Sequence, residues 1–313
     1  MSIIIYISLS VIIMFMSLLL IISIYLFNKA VLRSNKTFLE NNEDIPISAT
    51  KIQWEIDNKW LESQLFEDIE LIAFDDLLLH GYYLPAKNST YKTVILAHGY
   101  DSIGMELGGL TKFYYEILGY NVLIPDNRGH GLSEGKYIGF GWHDRKDYLG
   151  WIDYVIIKNG SDSQIILHGI SMGAATVLIV SGEVLNDNIK CIISDCAYTS
   201  ASDILAHQMK KMYNLPSIPL IQITSLICKI KANYYFGEAS ALKQVNKAKK
   251  PILFIHGEDD LFIPIKMVYS LYEKCKSDKE LFIVPKACHA NAYHTDTKGY
   301  QQKVTQFINK YIH

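Results

Sequence analysis

Hydrophobic and polar residues follow three patterns along the chain, and the first predicts a membrane anchor. Residues 2–27 contain no charged side chain, and a helix over 3–27 would be about 37 Å long, enough to cross a hydrocarbon core of about 30 Å. A cleaved signal peptide is the alternative, but it would have a basic start and a shorter apolar stretch. Lys29, Arg33 and Lys36 follow the span, so the positive-inside rule predicts a cytoplasmic catalytic domain.

The second pattern is a polar segment followed by two apolar runs. Residues 35–50 are polar and contain Pro46, which is typical of a linker, so we expect an anchor at 1–28 and a linker and entry segment at 29–66. Apolar runs at 69–73 and 77–84 flank the pair Asp75-Asp76, which predicts an antiparallel hairpin. We expect this hairpin to form an edge of a sheet.

The third pattern alternates short apolar strands with longer helical segments through a predicted domain at 67–313. Such alternation predicts a parallel sheet joined by right-handed crossovers. At about 201–250 the alternation breaks into helical segments, which form either a lid or additional core helices on one sheet face. The predicted strands are 93–97, 121–125, 163–167, 189–194, 251–256 and 280–284, and the predicted helices are 105–118, 142–157, 264–275 and about 295–311.

A glycine-flanked serine stands where one predicted strand ends and a helix of small residues begins. Residues 168–173 have the sequence His-Gly-Ile-Ser-Met-Gly, after the short β-branched run at 163–167. Because Gly169 and Gly173 lack a Cβ, the strand and the helix can pack closely while Ser171 adopts a strained conformation that exposes its hydroxyl. The pattern predicts a nucleophile elbow, with an ordinary Gly-Ser turn as the alternative.

Two loops elsewhere in the chain supply the partners that such a serine needs. A serine hydroxyl becomes an effective nucleophile when a histidine takes its proton and a carboxylate orients that histidine. The strand at 251–256 leads into a loop that contains Asp260, and the strand at 280–284 leads towards His289. Because the carboxyl ends of parallel strands meet at one edge of the sheet, both loops are expected to lie near Ser171.

Composition argues against several other classes of function. The net charge of −2, with dispersed lysines and arginines, argues against a nucleic-acid partner. The five cysteines are odd in number, and Cys191 and Cys196 lie along one predicted strand, so we expect a reducing compartment rather than a disulfide framework. The chain contains no H-E-x-x-H, G-x-x-x-x-G-K-[ST] or C-x-x-C motif, and we therefore expect neither a metal nor a cofactor.

From about residue 68 onwards the chain resembles the α/β-hydrolase superfamily, in the branch of serine aminopeptidase-like and acyl-ester hydrolases. The resemblance rests on five motifs in order: His98-Gly99-Tyr100, residues 126–133, the Ser171 elbow, the Asp260 loop and the His289 loop. It implies an α/β-hydrolase fold, with a mostly parallel eight-stranded sheet, helices on both faces and a helical lid. Residues 139–147 also resemble membrane-anchored hydrolases of Gram-positive bacteria.

The same resemblance implies a role for each site residue. Ser171 corresponds to the nucleophile, Asp260 to the acid and His289 to the base. The backbone N–H groups of Tyr100 and Met172 are expected to form the oxyanion hole. The alternatives are Asp259 and Asp195 for the acid and His294 for the base, while His256 is expected to pack beneath Asp260.

We therefore expect a membrane-tethered serine hydrolase that cleaves small-molecule carboxylic esters or thioesters through an acyl-enzyme. Apolar residues at 218–221 and 226–227 suggest that the insertion buries an acyl chain. A serine peptidase of the aminopeptidase type is one alternative, with Glu106 or Glu134 as an acidic subsite for a free amine. A non-catalytic membrane-bound interaction protein on the same fold is the other, and the oligomeric state cannot be predicted.

Overall fold

The computed structural model describes residues 2–34 and 51–312, so the predicted linker at 35–50 lies outside the described residues. The helices are α1 (Ser2–Ala30), α2 (Lys51–Glu62), α3 (Gly108–Lys112), α4 (Asp144–Asn159), α5 (Met172–Val180), α6 (Ala201–Tyr213), α7 (Leu220–Ala232), α8 (Ala241–Val245), α9 (Lys266–Lys274), α10 (Ala292–Thr295) and α11 (Thr297–Ile308). The strands are β1 (Glu67–Ile72), β2 (Leu78–Leu84), β3 (Lys92–Ala97), β4 (Asn121–Pro125), β5 (Gln164–Ile170), β6 (Ile189–Asp195), β7 (Ile252–Gly257) and β8 (Lys279–Val284).

The strands form one eight-stranded sheet in the order β1-β2-β4-β3-β5-β6-β7-β8. The β1–β2 hairpin lies at one edge and pairs antiparallel with β4, whereas β3 to β8 are parallel, as the sequence predicts. Side chains of α4, α5 and α9 cover one face, and those of α3 and α11 cover the other. The predicted α/β-hydrolase architecture is therefore confirmed, and Ser171 lies just after the central strand β5.

The predicted helix at 105–118 is broken into three pieces in the structure. A 3-10 turn (Gly104–Glu106), the short α3 and a π-helical segment (Phe113–Ile117) replace it. The break accompanies a close approach of α2, because a Cβ on Gly108 would lie 2.3 Å from the Asp57 carbonyl oxygen. The Gly108 N–H donates to the Asn58 side chain at 3.0 Å, so α2 holds this segment in place.

The C-terminal end of helix α1 is packed into the domain. Within the described chain, Ile3–Ala30 is long and apolar enough to cross a membrane, by length and composition. Side chains at 3–18 are exposed, whereas Phe27 and Val31 are buried in the main core. The chain after α1 stays bonded to the domain, since the Ile138 N–H donates to the Val31 carbonyl at 2.8 Å. The start of the predicted linker is therefore fixed to the domain.

The helical insertion between β6 and β7 divides into two parts. Helix α7 packs along α1, with the Thr224 hydroxyl 3.5 Å from the Ser23 carbonyl oxygen, and α6 packs against α7 and lines a cavity together with the end of α1. Helix α8 instead packs against α5 and α9 beside the sheet. One part of the insertion thus extends the domain along α1, and the other part completes a layer of the fold.

A chain of buried polar groups crosses from β5 and β6 to α11. The Tyr114 hydroxyl lies 3.0 Å from His168 Nδ1, and His168 Nε2 lies 3.0 Å from the Tyr300 hydroxyl, which donates to Asp195 at 3.0 Å. Burial lowers the pKa of His168 to about 3, so its ring is neutral. Burial raises the pKa of Asp195 to about 7, although the Tyr300 hydrogen bond and nearby His289 act in the opposite direction.

We predict that Asp195→Asn changes how stability depends on pH. A carboxyl whose pKa is about 7 when folded and 3.8 when exposed binds an extra proton in the folded state between these values, so wild-type stability falls as pH rises through that window. Asparagine removes this effect. Between pH 5 and pH 8, the free energy of unfolding of the wild type should therefore fall by on the order of 2–3 kcal/mol relative to that of the variant.

Denaturant titrations at both pH values measure this difference, with Asp153→Asn, at an exposed position of α4, as the matched control. Parallel pH profiles for the wild type and Asp195→Asn would show that Asp195 is ionised across the whole range.

Candidate active site

Ser171 occupies a strained turn between β5 and α5. Its backbone has φ 55° and ψ −115°, an unusual conformation for a residue other than glycine. Close packing at two glycines makes the turn possible, because a Cβ on Gly173 would lie 2.0 Å from the Ala97 carbonyl oxygen and one on Gly169 would lie 2.2 Å from the Gly173 carbonyl oxygen. The predicted elbow is present, and the serine side chain points towards the loops that follow β7 and β8.

The structure brings Ser171, His289 and Asp260 into one line of hydrogen bonds. Ser171 Oγ lies 2.9 Å from His289 Nε2, and His289 Nδ1 lies 2.8 Å from Asp260 Oδ2. All three residues are buried. If Nδ1 carries the ring proton and donates it to the carboxylate, Nε2 is left to accept the serine proton.

Backbone and side-chain groups hold Asp260 in its ionised form. The N–H groups of Phe262 and Ile263 donate to its Oδ1 at 3.0 and 2.7 Å. Burial alone would raise the pKa of Asp260, but the neighbouring His289 and His256 together with the Ile263 hydrogen bond outweigh burial and lower that pKa. A carboxylate that stays charged is suited to stabilise an imidazolium.

The alternative site residues lie elsewhere. Asp195 ends β6 and accepts the Tyr300 hydroxyl, and Asp259 is exposed to solvent. His294 lies in α10, where its Nε2 is 3.2 Å from Asp57 Oδ2. His256 packs beneath the acid loop, with Nε2 at 2.8 Å from the Ile263 carbonyl oxygen. The residues that hydrogen-bond in one line, Ser171, His289 and Asp260, are therefore the three to which the family resemblance gives roles.

The two expected oxyanion donors lie on either side of Ser171. Met172 is the first residue of α5, and Tyr100 follows β3 in a loop where a Cβ on Gly99 would lie 3.5 Å from Ser171 Cβ. His98 holds this loop in place: its Nδ1 lies 2.8 Å from the Gly99 carbonyl oxygen, and its Nε2 accepts the Asn127 N–H at 2.9 Å. Burial lowers the pKa of His98 to about 4, so this ring is a neutral structural element.

The motif at 126–133 also supports the site, without contacting Ser171. Asp126 accepts the N–H groups of Gly104 and Leu132, at 2.8 and 2.9 Å. Arg128 forms a bidentate ion pair with Asp147 of α4, with both contacts at 2.6 Å. The motif therefore ties the loop after β4 to the loop after β3 and to α4.

Two cavities meet at Ser171. A cavity of about 200 Å³ lies over Ser171 and His289 and includes Trp54 of α2, Glu106 and His294. A smaller, almost wholly apolar cavity of about 70 Å³ lies on the other side, beneath α6. It is lined by Ala30, Tyr100, Phe140, Ser171, Tyr198, Ile204, Leu205, Gln208, Phe262 and Ile263.

The apolar wall of this smaller cavity comes from α6 rather than from the segments at 218–221 and 226–227. In those segments Leu220, Ile221 and Ile227 are buried beside α1, whereas Ile218 and Leu226 are exposed. These segments therefore do not line the cavity at Ser171, because α7 turns its apolar face towards α1, and Ile221 instead lines a second cavity between α1 and α6. Ile204, Leu205 and Gln208 share one face of α6 at helical spacing, and this spacing is the sequence signal that could have identified their side of the cavity.

Among the described residues, one cluster has the spacing of a metal site: Cys196, Asp260 and His289, whose ligand atoms lie within 4.8 Å of one another. Asp260 and His289 already bond to each other, and burial raises the pKa of the Cys196 thiol well above its ordinary value. A neutral thiol is a poor metal ligand, so this cluster fits a hydrogen-bonded site better than a metal centre.

Solved structures share this arrangement of strands and helices. The esterase Pf2001 from Pyrococcus furiosus superposes with a TM-score of 0.65 at 27% identity, over 82% of this chain and 96% of that chain. An acylaminoacyl peptidase from Pyrococcus horikoshii superposes with a TM-score of 0.57 at 17% identity, over 81% of this chain and 42% of that chain, which shows a shared fold.

Sequence comparisons give the family. The protein YqkD of Bacillus subtilis is 33% identical over 264 residues, which cover 82% of this chain and 86% of YqkD. The model of the prolyl oligopeptidase family matches residues 111–313, well over half of the chain, and includes Ser171, Asp260 and His289. The chain therefore belongs to the prolyl oligopeptidase family of α/β hydrolases.

Proposed function

We propose that this protein is a serine hydrolase that cleaves carboxylic esters or thioesters through an acyl-enzyme. The observation that carries the proposal is the hydrogen-bonded line Ser171–His289–Asp260 at the mouth of an apolar cavity. Ser171 Oγ attacks the acyl carbon while His289 Nε2 takes the hydroxyl proton. Asp260 remains ionised and stabilises the imidazolium that forms on His289.

The reaction then proceeds in two balanced steps. Collapse of the tetrahedral intermediate breaks the bond to the leaving alcohol or thiol, which receives its proton from His289. A water molecule then attacks the acyl-enzyme, and His289 takes the water proton and returns it to Ser171 as the acid product leaves. In both steps the oxyanion is assigned to the backbone N–H groups of Tyr100 and Met172.

The substrate preference rests on the cavity beneath α6. Ile204, Leu205 and Phe262 offer an acyl group a wall of apolar side chains next to Ser171. Burial of an acyl chain there would contribute roughly 0.8 kcal/mol for each methylene. An apolar acyl group is therefore the part of the substrate that we assign to this cavity.

One observation favours a second candidate, a serine peptidase of the aminopeptidase type. Glu106 lines the larger cavity with Ser171, and its carboxylate accepts the Ser102 hydroxyl at 2.7 Å. A carboxylate there is positioned to bind the free amine of a peptide. Glu134 is not, because it accepts the Leu78 N–H and lines a different cavity.

We also propose that α1 is retained as a membrane anchor, with the catalytic domain in the cytoplasm. Removal of α1 as a signal peptide would take Phe27 out of the main core, where it is 1% exposed. Lys29 and Arg33 follow the span, and the Arg33 guanidinium donates to the carbonyl oxygens of Ser133 and Gly131 at 2.7 and 2.6 Å. The basic end of the span is thus bound to the domain that it would keep inside the cell.

Substitutions at Ser171, Asp260 and Asp195 should separate catalytic residues from structural ones. Ser171→Ala should remove labelling by a fluorophosphonate, and Asp260→Asn should lower kcat/KM for nitrophenyl butyrate by roughly 10³–10⁴-fold, because His289 loses its charged partner. Asp195→Asn should change kcat/KM by less than about tenfold, since Asp195 bonds to Tyr300 rather than to His289. Ser270→Ala, on an exposed face of α9, is the labelling control. The reverse ranking of the two aspartates would move the acid to Asp195.

A panel of substrates decides between the two candidate activities. Nitrophenyl acetate, butyrate, octanoate and palmitate should show kcat/KM rising with chain length, because each methylene buries more apolar surface. Aminoacyl nitroanilides should be cleaved poorly. Preferred cleavage of the anilides, lost in Glu106→Gln, would instead establish the peptidase.

Protease protection tests the topology. Protease added to intact cells should leave the catalytic domain whole, whereas the same protease added to permeabilised cells should digest it. Digestion in intact cells would place the domain outside.

A further inference from the structure

Helix α1 takes part in the wall of the active site, in addition to its role as a membrane anchor. Ala30, in the last turn of α1, lines the apolar cavity that contains Ser171. The Tyr100 hydroxyl donates to the Ala30 carbonyl at 2.8 Å, so the loop expected to supply an oxyanion donor is bonded to the end of this helix. The anchor and the site are therefore parts of one packed unit.

A second apolar cavity continues from the first along α1. It is lined by Leu26, Lys29 and Ala30 of α1, by Leu205, Gln208, Met209, Met212 and Tyr213 of α6, and by Ile221, Thr224 and Phe236. Ala30, Leu205 and Gln208 line both cavities, so the two spaces adjoin. Together they form what we call the α1–α6 groove.

The α1–α6 groove leads away from Ser171 in the direction of the membrane. Leu205 lines the cavity next to Ala30, whereas Tyr213, eight residues further along α6, lies next to Tyr25 of α1. Helix α6 therefore runs back along α1 towards its N-terminal, membrane-spanning part. The groove between the two helices follows the same direction.

The length of the exposed part of α1 brings the bilayer close to the end of this groove. Side chains at 3–18 are exposed, and as a helix this stretch measures only about 24 Å, less than the hydrocarbon thickness of about 30 Å. Beyond residue 18, apolar side chains stay exposed on one face of α1 at Leu20, Ile21, Ile24 and Tyr25, so a hydrocarbon region of that thickness extends to the turns of α1 that pack against α7. Met212, Tyr213 and Ile218 are exposed around the connection between α6 and α7, where apolar side chains suit a lipid environment.

We propose that the α1–α6 groove is the route by which an acyl chain passes from the bilayer to Ser171, so that the substrate is a long-chain ester that resides in the membrane. This inference rests on the proposed function and identifies its substrate class. The acyl chain lies between α1 and α6, its carbonyl carbon reaches Ser171, and the leaving group occupies the larger cavity beneath Trp54. A water-soluble ester with a short acyl group reaches the serine without using the groove.

The test fills the second cavity of the groove, which Met209 and Leu26 line and Ser171 does not. Met209→Trp enlarges the α6 wall, and Leu26→Trp enlarges the α1 wall, so the second variant tests the route if the first fails to fold. Ile24→Trp is the matched control, because Ile24 is 38% exposed and lies two residues from Leu26 on the opposite side of α1. The full-length chain is assayed in phosphatidylglycerol vesicles with methylumbelliferyl palmitate and methylumbelliferyl butyrate.

The expected result is a fall of at least about tenfold in the ratio of kcat/KM for palmitate over butyrate in both groove variants, with a change of less than about twofold in Ile24→Trp. A wild-type ratio in groove variants that keep the wild-type melting temperature would overturn the route while leaving the hydrolase intact. Failure of the wild type to cleave either ester would overturn the proposed function itself, and the route with it.

Discussion

The active site depends on the close approach of backbone at the start of α5. With Gly173 so near the Ala97 carbonyl oxygen, strands β3 and β5 and helix α5 meet at a single point. Ser171 adopts its positive φ at this point, and the Tyr100 loop begins there as well. Strain at one residue is maintained by packing that involves three elements, which is how a folded domain keeps a reactive hydroxyl in an unfavourable backbone conformation.

Two buried carboxyls near the site illustrate how surroundings determine charge. Asp260 accepts two backbone N–H groups and faces two imidazoles, so its pKa is lowered despite burial. Asp195, at the end of the neighbouring strand β6, has its pKa raised by burial. The ionised carboxyl is the one bonded to His289, and the other belongs to a structural network. A difference in hydrogen-bonding partners thus gives two aspartates in one region separate roles.

Local patterns in the sequence were enough to predict the strands and the proximity of the Ser171, Asp260 and His289 segments that follow them. Strands β3 to β8 are five to seven residues long and each contains a short apolar run, and the glycines around Ser171 mark the turn, because each signal lies within a few neighbouring residues. Residues such as Asp260 and His289 were accessible to the same reasoning, since loops after parallel strands share one edge.

Features that depend on contacts between distant segments were not predictable in this way. The break in the helix at 105–118 follows from α2 pressing on Gly108, a contact between residues far apart in sequence. The orientation of α7 and the position of α6 beside the cavity at Ser171 involve contacts with α1, whose apolar residues indicated only a membrane span. A uniformly apolar helix has no periodicity to show which of its faces will contact protein.

The burial of Phe27 and Val31 has a consequence for biogenesis. These residues belong to the core shared with β5, α4 and α5, so the core is complete only when the end of α1 is in place. Folding of the domain is thereby coupled to the placement of α1. A domain that lost α1 would carry an incomplete core next to Tyr100, whose hydroxyl donates to the Ala30 carbonyl, so the N-terminal helix belongs to the folding unit that builds the site.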